Sequence, residues 1–168
     1  FDADVTVNGG ADDTVNFQFA DTNIGTGDLT VNAQFINVNQ AVSTGGGGFI
    51  DLNAQEDVAF AAAGSLTAGG TGNVTVSADL RGGNNGDTIQ MADGAFIDAG
   101  SGRISLDADG AITLGRLVTT NTGTSPAAVT LTSTSGGIVD GGDAGGVDIE
   151  ATGGRLVIDA SQGVGSSN

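Results

Sequence analysis

The chain has 168 residues, 31 of them glycine and one proline, and carries a formal net charge of −16 with only four basic residues, all arginine. It contains no Cys, His, Trp or Tyr, which excludes thiolate nucleophiles, imidazole bases and the usual zinc sites and leaves only oxygen ligands, so that Ca²⁺ is the ion it would take. A field of that sign repels nucleic-acid phosphates and anionic membrane surfaces, and no run approaches the ~18 apolar residues of a membrane span, so neither nucleic acid nor membrane insertion is expected.

Along the chain one short pattern recurs: apolar-x-apolar, often followed by x-Ala. It reads Val5-Thr6-Val7, Leu29-Thr30-Val31-Asn32-Ala33, Ile50-Asp51-Leu52-Asn53-Ala54 and Val74-Thr75-Val76-Ser77-Ala78, then Ile104-Ser105-Leu106-Asp107-Ala108, Val129-Thr130-Leu131 and Val147-Asp148-Ile149-Glu150-Ala151. First positions are 24, 21, 24, 30, 25 and 18 residues apart, within the range that marks solenoids and related arrays. The period inside each unit is two, so each is a strand with Val, Ile and Leu on one face and Thr, Ser, Asn or Asp on the other. Most units continue into a second apolar strand: Phe35-Ile36-Asn37-Val38, Val58-Ala59-Phe60, Ile89-Gln90-Met91, Ala111-Ile112-Thr113-Leu114, Gly137-Ile138-Val139 and Leu156-Val157-Ile158. Glycine clusters between them supply sharp corners. Asn8-Gly9, Asp93-Gly94 and Asp109-Gly110 suit local hairpin turns, but like-to-like repetition argues for parallel stacking.

No unit has enough apolar residues to bury a core alone. Stacked at about 4.8 Å per coil, seven coils give a rod of roughly 30–35 Å. The expected fold is all-β, a parallel β-helix of about seven coils without significant helix, forming a single segment over residues 1–168 with residues 1–25 less regular. Residues 81–87 account for the longest spacing as an outward loop. Because the chain starts at Phe1 rather than Met, it is expected to be a piece of a longer repeat protein.

The stretches 103–115 (RISLDADGAITLG), 128–140 (AVTLTSTSGGIVD) and 156–168 (LVIDASQGVGSSN) resemble the repeat region of filamentous-haemagglutinin-like large exoproteins and related bacterial surface adhesins. The resemblance extends from about residue 25 to the end. It implies a right-handed parallel β-helix, export to the extracellular space or bacterial cell surface, and service as a stalk for adhesion or biofilm, with host or matrix glycans or proteins as partners.

Candidate sites are few. Gly82-Gly83-Asn84-Asn85-Gly86-Asp87-Thr88-Ile89 resembles the calcium-binding nonapeptide of repeats-in-toxin proteins and makes Asn85 and Asp87 the candidate Ca²⁺ ligands, against the plainer reading of a glycine-rich loop with no cofactor. Asp12-Asp13 and Glu56-Asp57 read as solvated turn residues. Polysaccharide-active enzymes share this architecture, but hydrolysis needs two converging carboxylates, lyases generally need a base, and Arg81, Arg103, Arg116 and Arg155 are the sole basic residues. No catalytic residue is assigned, and the chain is expected not to be an enzyme. Arg103 and Arg155, each just before an apolar strand, are expected to pair with neighbouring Asp. Ice binding requires an unbroken Thr array, which Asp51, Asp107 and Asp148 interrupt. The leading expectation is a non-catalytic structural segment of an adhesin or extracellular filament; the alternative is a glycan- or Ca²⁺-binding solenoid module. Uncapped strand edges at the ends would be covered by neighbouring repeats of the same chain or by end-to-end self-association.

Overall fold

A computed structural model of the chain describes residues 3–10, 12–19, 22–78, 86–142 and 146–165. Every coil contributes up to three strands. The first holds β1 (Val5–Asn8), β2 (Thr14–Phe17) and β3 (Thr22–Asn23); the second, β4 (Leu29–Ala33), β5 (Phe35–Val38) and β6 (Ala41–Thr44); the third, β7 (Ile50–Ala54), β8 (Val58–Phe60) and β9 (Ser65–Ala68). The fourth holds β10 (Val74–Ala78), β11 (Ile89–Met91) and β12 (Phe96–Asp98), and the fifth β13 (Ile104–Ala108), β14 (Ile112–Leu114) and β15 (Arg116–Thr119). The sixth holds β16 (Val129–Ser133), β17 (Ile138–Asp140) and β18 (Ile149–Ala151), and β19 (Leu156–Ala160) begins a seventh. Among the described residues there is no helix.

These strands form three parallel sheets, ordered β1-β4-β7-β10-β13-β16-β19, β2-β5-β8-β11-β14-β17 and β3-β6-β9-β12-β15-β18. The chain is therefore an all-β parallel solenoid of about six turns plus one strand, slightly short of the seven coils expected. The register is like-to-like: Leu29, Ile50, Val74 and Ile104 fall in one column, and Val31, Leu52, Val76 and Leu106 in the next. Those side chains are 0–1% exposed. Burying each contributes about 1.5–3 kcal/mol relative to leaving it in water, so the core is a set of continuous apolar columns rather than a central cluster. Ala33, Ala54, Ala78 and Ala108 form a third inward column where the first sheet turns into the second. A side chain without γ atoms leaves room there for the bend.

Within residues 1–25, β1 pairs with β4 over Val5↔Leu29 to Asn8↔Asn32 and β2 pairs with β5, and Val5, Val7, Val15 and Phe17 are partly buried. One expectation is corrected. The unit at residues 147–151 is not a seventh copy of the first strand. Its β18 pairs with β15 in the third sheet, while Leu156–Ala160 pairs with Val129–Ser133 and takes the seventh place. The apolar-x-apolar pattern occurs on both faces, and the short spacing of 18 residues was the sign of the wrong column. The third sheet itself was not foreseen, because strands such as Ala41–Thr44 and Ser65–Ala68 bring little apolar area to the core. The parallel stacking expected from like-to-like repetition holds along the ladder, and Asp93-Gly94 and Asp109-Gly110 lie at coil corners. The loop expected at 81–87 falls mostly on residues 79–85, outside the described residues; after it, Ile89 resumes register with Val58.

Side-chain ladders run on the outside. Asn53 Nδ2 donates to Asn32 Oδ1 at 3.2 Å, Asn32 Nδ2 to Asn8 Oδ1 at 2.8 Å, and Asn37 Nδ2 to Asn16 Oδ1 at 2.8 Å. Each amide therefore donates toward the first coil, giving the rod a chemical polarity as well as a strand polarity.

Candidate binding cleft

A small cleft lies along the start of the third sheet in coils four to six. It is lined by Asp93, Gly94, Ala95, Phe96, Gly115, Arg116, Gly142 and Asp148 and encloses about 120 Å³. Its shape follows from missing side chains. A Cβ on Gly115 would strike the Ala95 carbonyl, and one on Gly142 would run into the Asp93 side chain. Gly94 turns the corner at φ 95°, a conformation costly for other L residues. One water needs roughly 10–15 Å³ of such space, whereas drug-sized ligands occupy about 300–1,000 Å³. The cleft suits a few waters or part of one ring.

Parallel register places Phe96 directly beside Arg116 on the next coil. Phe96 is 38% exposed. Arg116 Nη2 reaches Glu150 Oε2 at 2.8 Å, with both side chains close to half exposed; a pair so open to solvent contributes at most about 1 kcal/mol. Arg116 Nε is buried and makes no hydrogen bond. The cleft thus presents an aromatic face, one guanidinium and the carboxylates of Asp93 and Asp148 at its rim. That set offers one apolar face beside polar, charged groups.

The sequence-predicted site residues do not meet here. Asn85 and Arg81 lie outside the described residues. Asp87 is buried, 6% exposed, and its backbone carbonyl accepts the Gly110 amide at 2.7 Å. Among the described residues no group of three or more carboxylates gathers as a metal-ligand set. An ion pair forms at Arg116, and Arg155 Nη1 donates to the Thr124 carbonyl at 3.4 Å. Asp12 and Asp13 are exposed, Asp13 accepting the Gly10 amide within its own turn, but the pair Glu56-Asp57 is not merely solvated. Asp57 Oδ1 accepts the Thr88 amide and hydroxyl, both at 2.8 Å, and Glu56 Oε1 accepts Gln34 Nε2 at 2.8 Å, so both tie one coil to another.

A carboxylate that sequence reasoning treated only as a turn residue, Asp109, does the same work more fully. It is 2% exposed; Oδ2 accepts the Gly86 amide at 2.9 Å and Oδ1 the Thr134 hydroxyl at 2.8 Å, joining three coils. The Gly86 amide first and the Thr134 hydroxyl second hold its carboxyl below the ordinary carboxylate range, against the opposing effect of burial. A folded-state pKa depressed below the unfolded value means stability that is present above the unfolded pKa of about 3.9 and is lost as pH falls through the folded one. Asp109→Asn should therefore melt below the wild type from about pH 7 to about pH 5, and the gap should close below about pH 4. Thermal melts of both proteins across that range check it; a gap that stays constant into acid would refute it.

The chain matches no family model, and no curated protein or solved structure matches it.

Proposed function

We propose that the chain is a non-catalytic structural segment of a secreted or surface-exposed bacterial adhesin or extracellular filament, serving as a stalk. The observation that carries this reading is the like-to-like register of all three sheets: the buried Val, Ile and Leu side chains of the strands stand in stacking columns, which is the use a spacer makes of its sequence. The acidic exterior fits as well, since a strong net charge keeps rods from clumping laterally. The test is display of the chain on a non-adherent bacterium between an anchor and a fixed binding tip. Replacing it with an unrelated solenoid of equal coil number should leave adhesion unchanged, and replacing it with a flexible Gly/Ser linker should reduce it. Loss of adhesion with the substitute solenoid would overturn the stalk reading.

The cleft favours a second reading, a glycan-binding module. On that reading the chain binds soluble oligosaccharides by calorimetry, and Phe96→Ala and Arg116→Ala each weaken binding about tenfold, since stacking and charge-assisted hydrogen bonds are each of the order of 1 kcal/mol or more. Titration without heat at millimolar sugar would dismiss it.

A further inference from the structure

The corners that lead from the third sheet back into the first are short, with one exception. Five residues separate β6 from β7 (45–49), β9 from β10 (69–73) and β12 from β13 (99–103), whereas nine, residues 120–128, separate β15 from β16. The added length forms a closed loop. Asn121 pins its base, Nδ2 donating to the Ser101 carbonyl and Oδ1 accepting the Gly123 amide, both at 2.7 Å. Thr124 and Ala127 form an antiparallel bridge across its tip. Thr120, Thr122, Thr124 and Ser125 are exposed along it.

Two of the chain's four arginines meet this loop. Coil register sets them there: Ile104 N donates to Ala128 O and Val129 N to Arg155 O, so Arg103, Ala128 and Arg155 stand in one column with alanine between the two cations. Arg103 Nε lies 3.8 Å from the place a Cβ on Gly123 would take, is buried, and makes no hydrogen bond. Arg155 N donates to the Gly123 carbonyl at 3.0 Å, and its Nη1 to the Thr124 carbonyl at 3.4 Å, long for such a bond. The two guanidinium groups thus lie against consecutive residues of one loop. Among the described residues no carboxylate pairs with either of them. The chain has 20 acidic residues against four basic ones, yet here it surrounds two cations with hydroxyls and amides, a placement that internal charge pairing does not explain.

We propose that Arg103, Arg155 and the hydroxyls of the loop bind a tetrahedral oxyanion, a sulfate or phosphate group. A carboxylate is satisfied by one guanidinium fork, because its two oxygens lie in one plane. A tetrahedral oxyanion keeps oxygens for a second fork reaching from another coil and for hydroxyl donors. Fields between exposed charges fade over about 8 Å at physiological ionic strength, so the acidic exterior elsewhere does not cancel two cations on one loop. The group arrives either as the free ion or as an ester on a larger molecule. The site shares no residue with the Phe96 cleft, and the inference stands with or without a role as stalk or glycan-binding module.

Titration of inorganic sulfate into isotope-labelled protein at constant ionic strength, followed by NMR of the arginine Nε–H and backbone amide signals, tests it. The Arg103 and Arg155 signals and the Gly123 and Thr124 amides should shift together to a plateau while the Arg116 signal stays in place. Arg103→Gln and Arg155→Gln should each weaken binding about tenfold or more, as loss of a charge-assisted donor does; the backbone spectrum of each variant shows that it is folded. Acetate should bind about tenfold more weakly than sulfate. Inorganic phosphate and a sugar sulfate monoester, read at the same signals, separate the sources: tighter binding of the ester marks a group carried on a larger molecule, and tighter binding of the inorganic ions marks a free ion. Shifts that never saturate, an equal response at Arg116, variants that bind as the wild type does, or acetate that matches sulfate would each overturn the proposal. None of these outcomes bears on the display experiment, so the two readings fail separately.

Discussion

Gly102→Ala is expected to cost about 3 kcal/mol or more of folding free energy, the upper reach of overpacking effects. Gly102 is one of a stack at the corner that leads into the first sheet. A Cβ on Gly27 would strike the Ala3 carbonyl, one on Gly48 the Gly27 carbonyl, one on Gly72 the Gly48 carbonyl and one on Gly102 the Gly72 carbonyl, each well under 3.0 Å. Every obstacle is backbone of the preceding coil, which cannot swing aside as a flexible side chain would. The coils would have to part at this corner, and the Val74–Arg103 and Ile50–Asn73 hydrogen bonds beside it, both 2.8–2.9 Å, would lengthen with them. The Gly102 carbonyl also accepts the buried Thr119 hydroxyl at 2.6 Å, so a shift is felt in the third sheet too. Gly86→Ala is the control. Gly86 sits at φ 77° with nothing within 4 Å of an added Cβ, so alanine there bears only the left-handed backbone penalty of about 1–2 kcal/mol. Urea unfolding of both variants checks the order; a Gly102 variant no less stable than the Gly86 variant would mean that the stacked corner is not under contact.

That contrast also shows what could be read from residues alone. The first sheet was legible because its columns need two large apolar side chains in every coil, and Val31, Leu52, Val76 and Leu106 repeat that demand at spacings of 21, 24 and 30 residues. Glycine clusters marked the corners correctly but for one physical reason, backbone freedom, when Gly27, Gly48, Gly72 and Gly102 are glycine for another, the closeness of the coil beneath. The signal was present, since each stands two residues before its strand, yet spacing cannot distinguish a turn from a contact. The third sheet was hidden because strands such as β6 and β9 mix Ser, Thr and Ala with a single large apolar residue. Asp109 was hidden because its partners, Gly86 and Thr134, lie 23 and 25 residues away and come together only through coil register. The cleft depends on Phe96 and Arg116 standing side by side across a 20-residue separation, and again only register reveals that.

Leu106→Ala should cost about 3–5 kcal/mol, and Ile158→Ala, in the same column, about 1 kcal/mol or less. Leu106 has a coil on either side, pairing with Val76 and Leu131, and is fully buried. Removing its branched end leaves a cavity that two hydrogen-bonded neighbours prevent from collapsing, the situation in which large-to-small substitutions are most costly. Ile158 has Leu131 on one side only and is 36% exposed, so truncation opens no closed void and water fills the space. In a stack whose stability is a sum of coil terms and nearest-neighbour interfaces, an end coil has one interface to lose and an internal coil two. Chemical denaturation of dilute protein measures both costs. Equal costs at the two positions would refute the nearest-neighbour account.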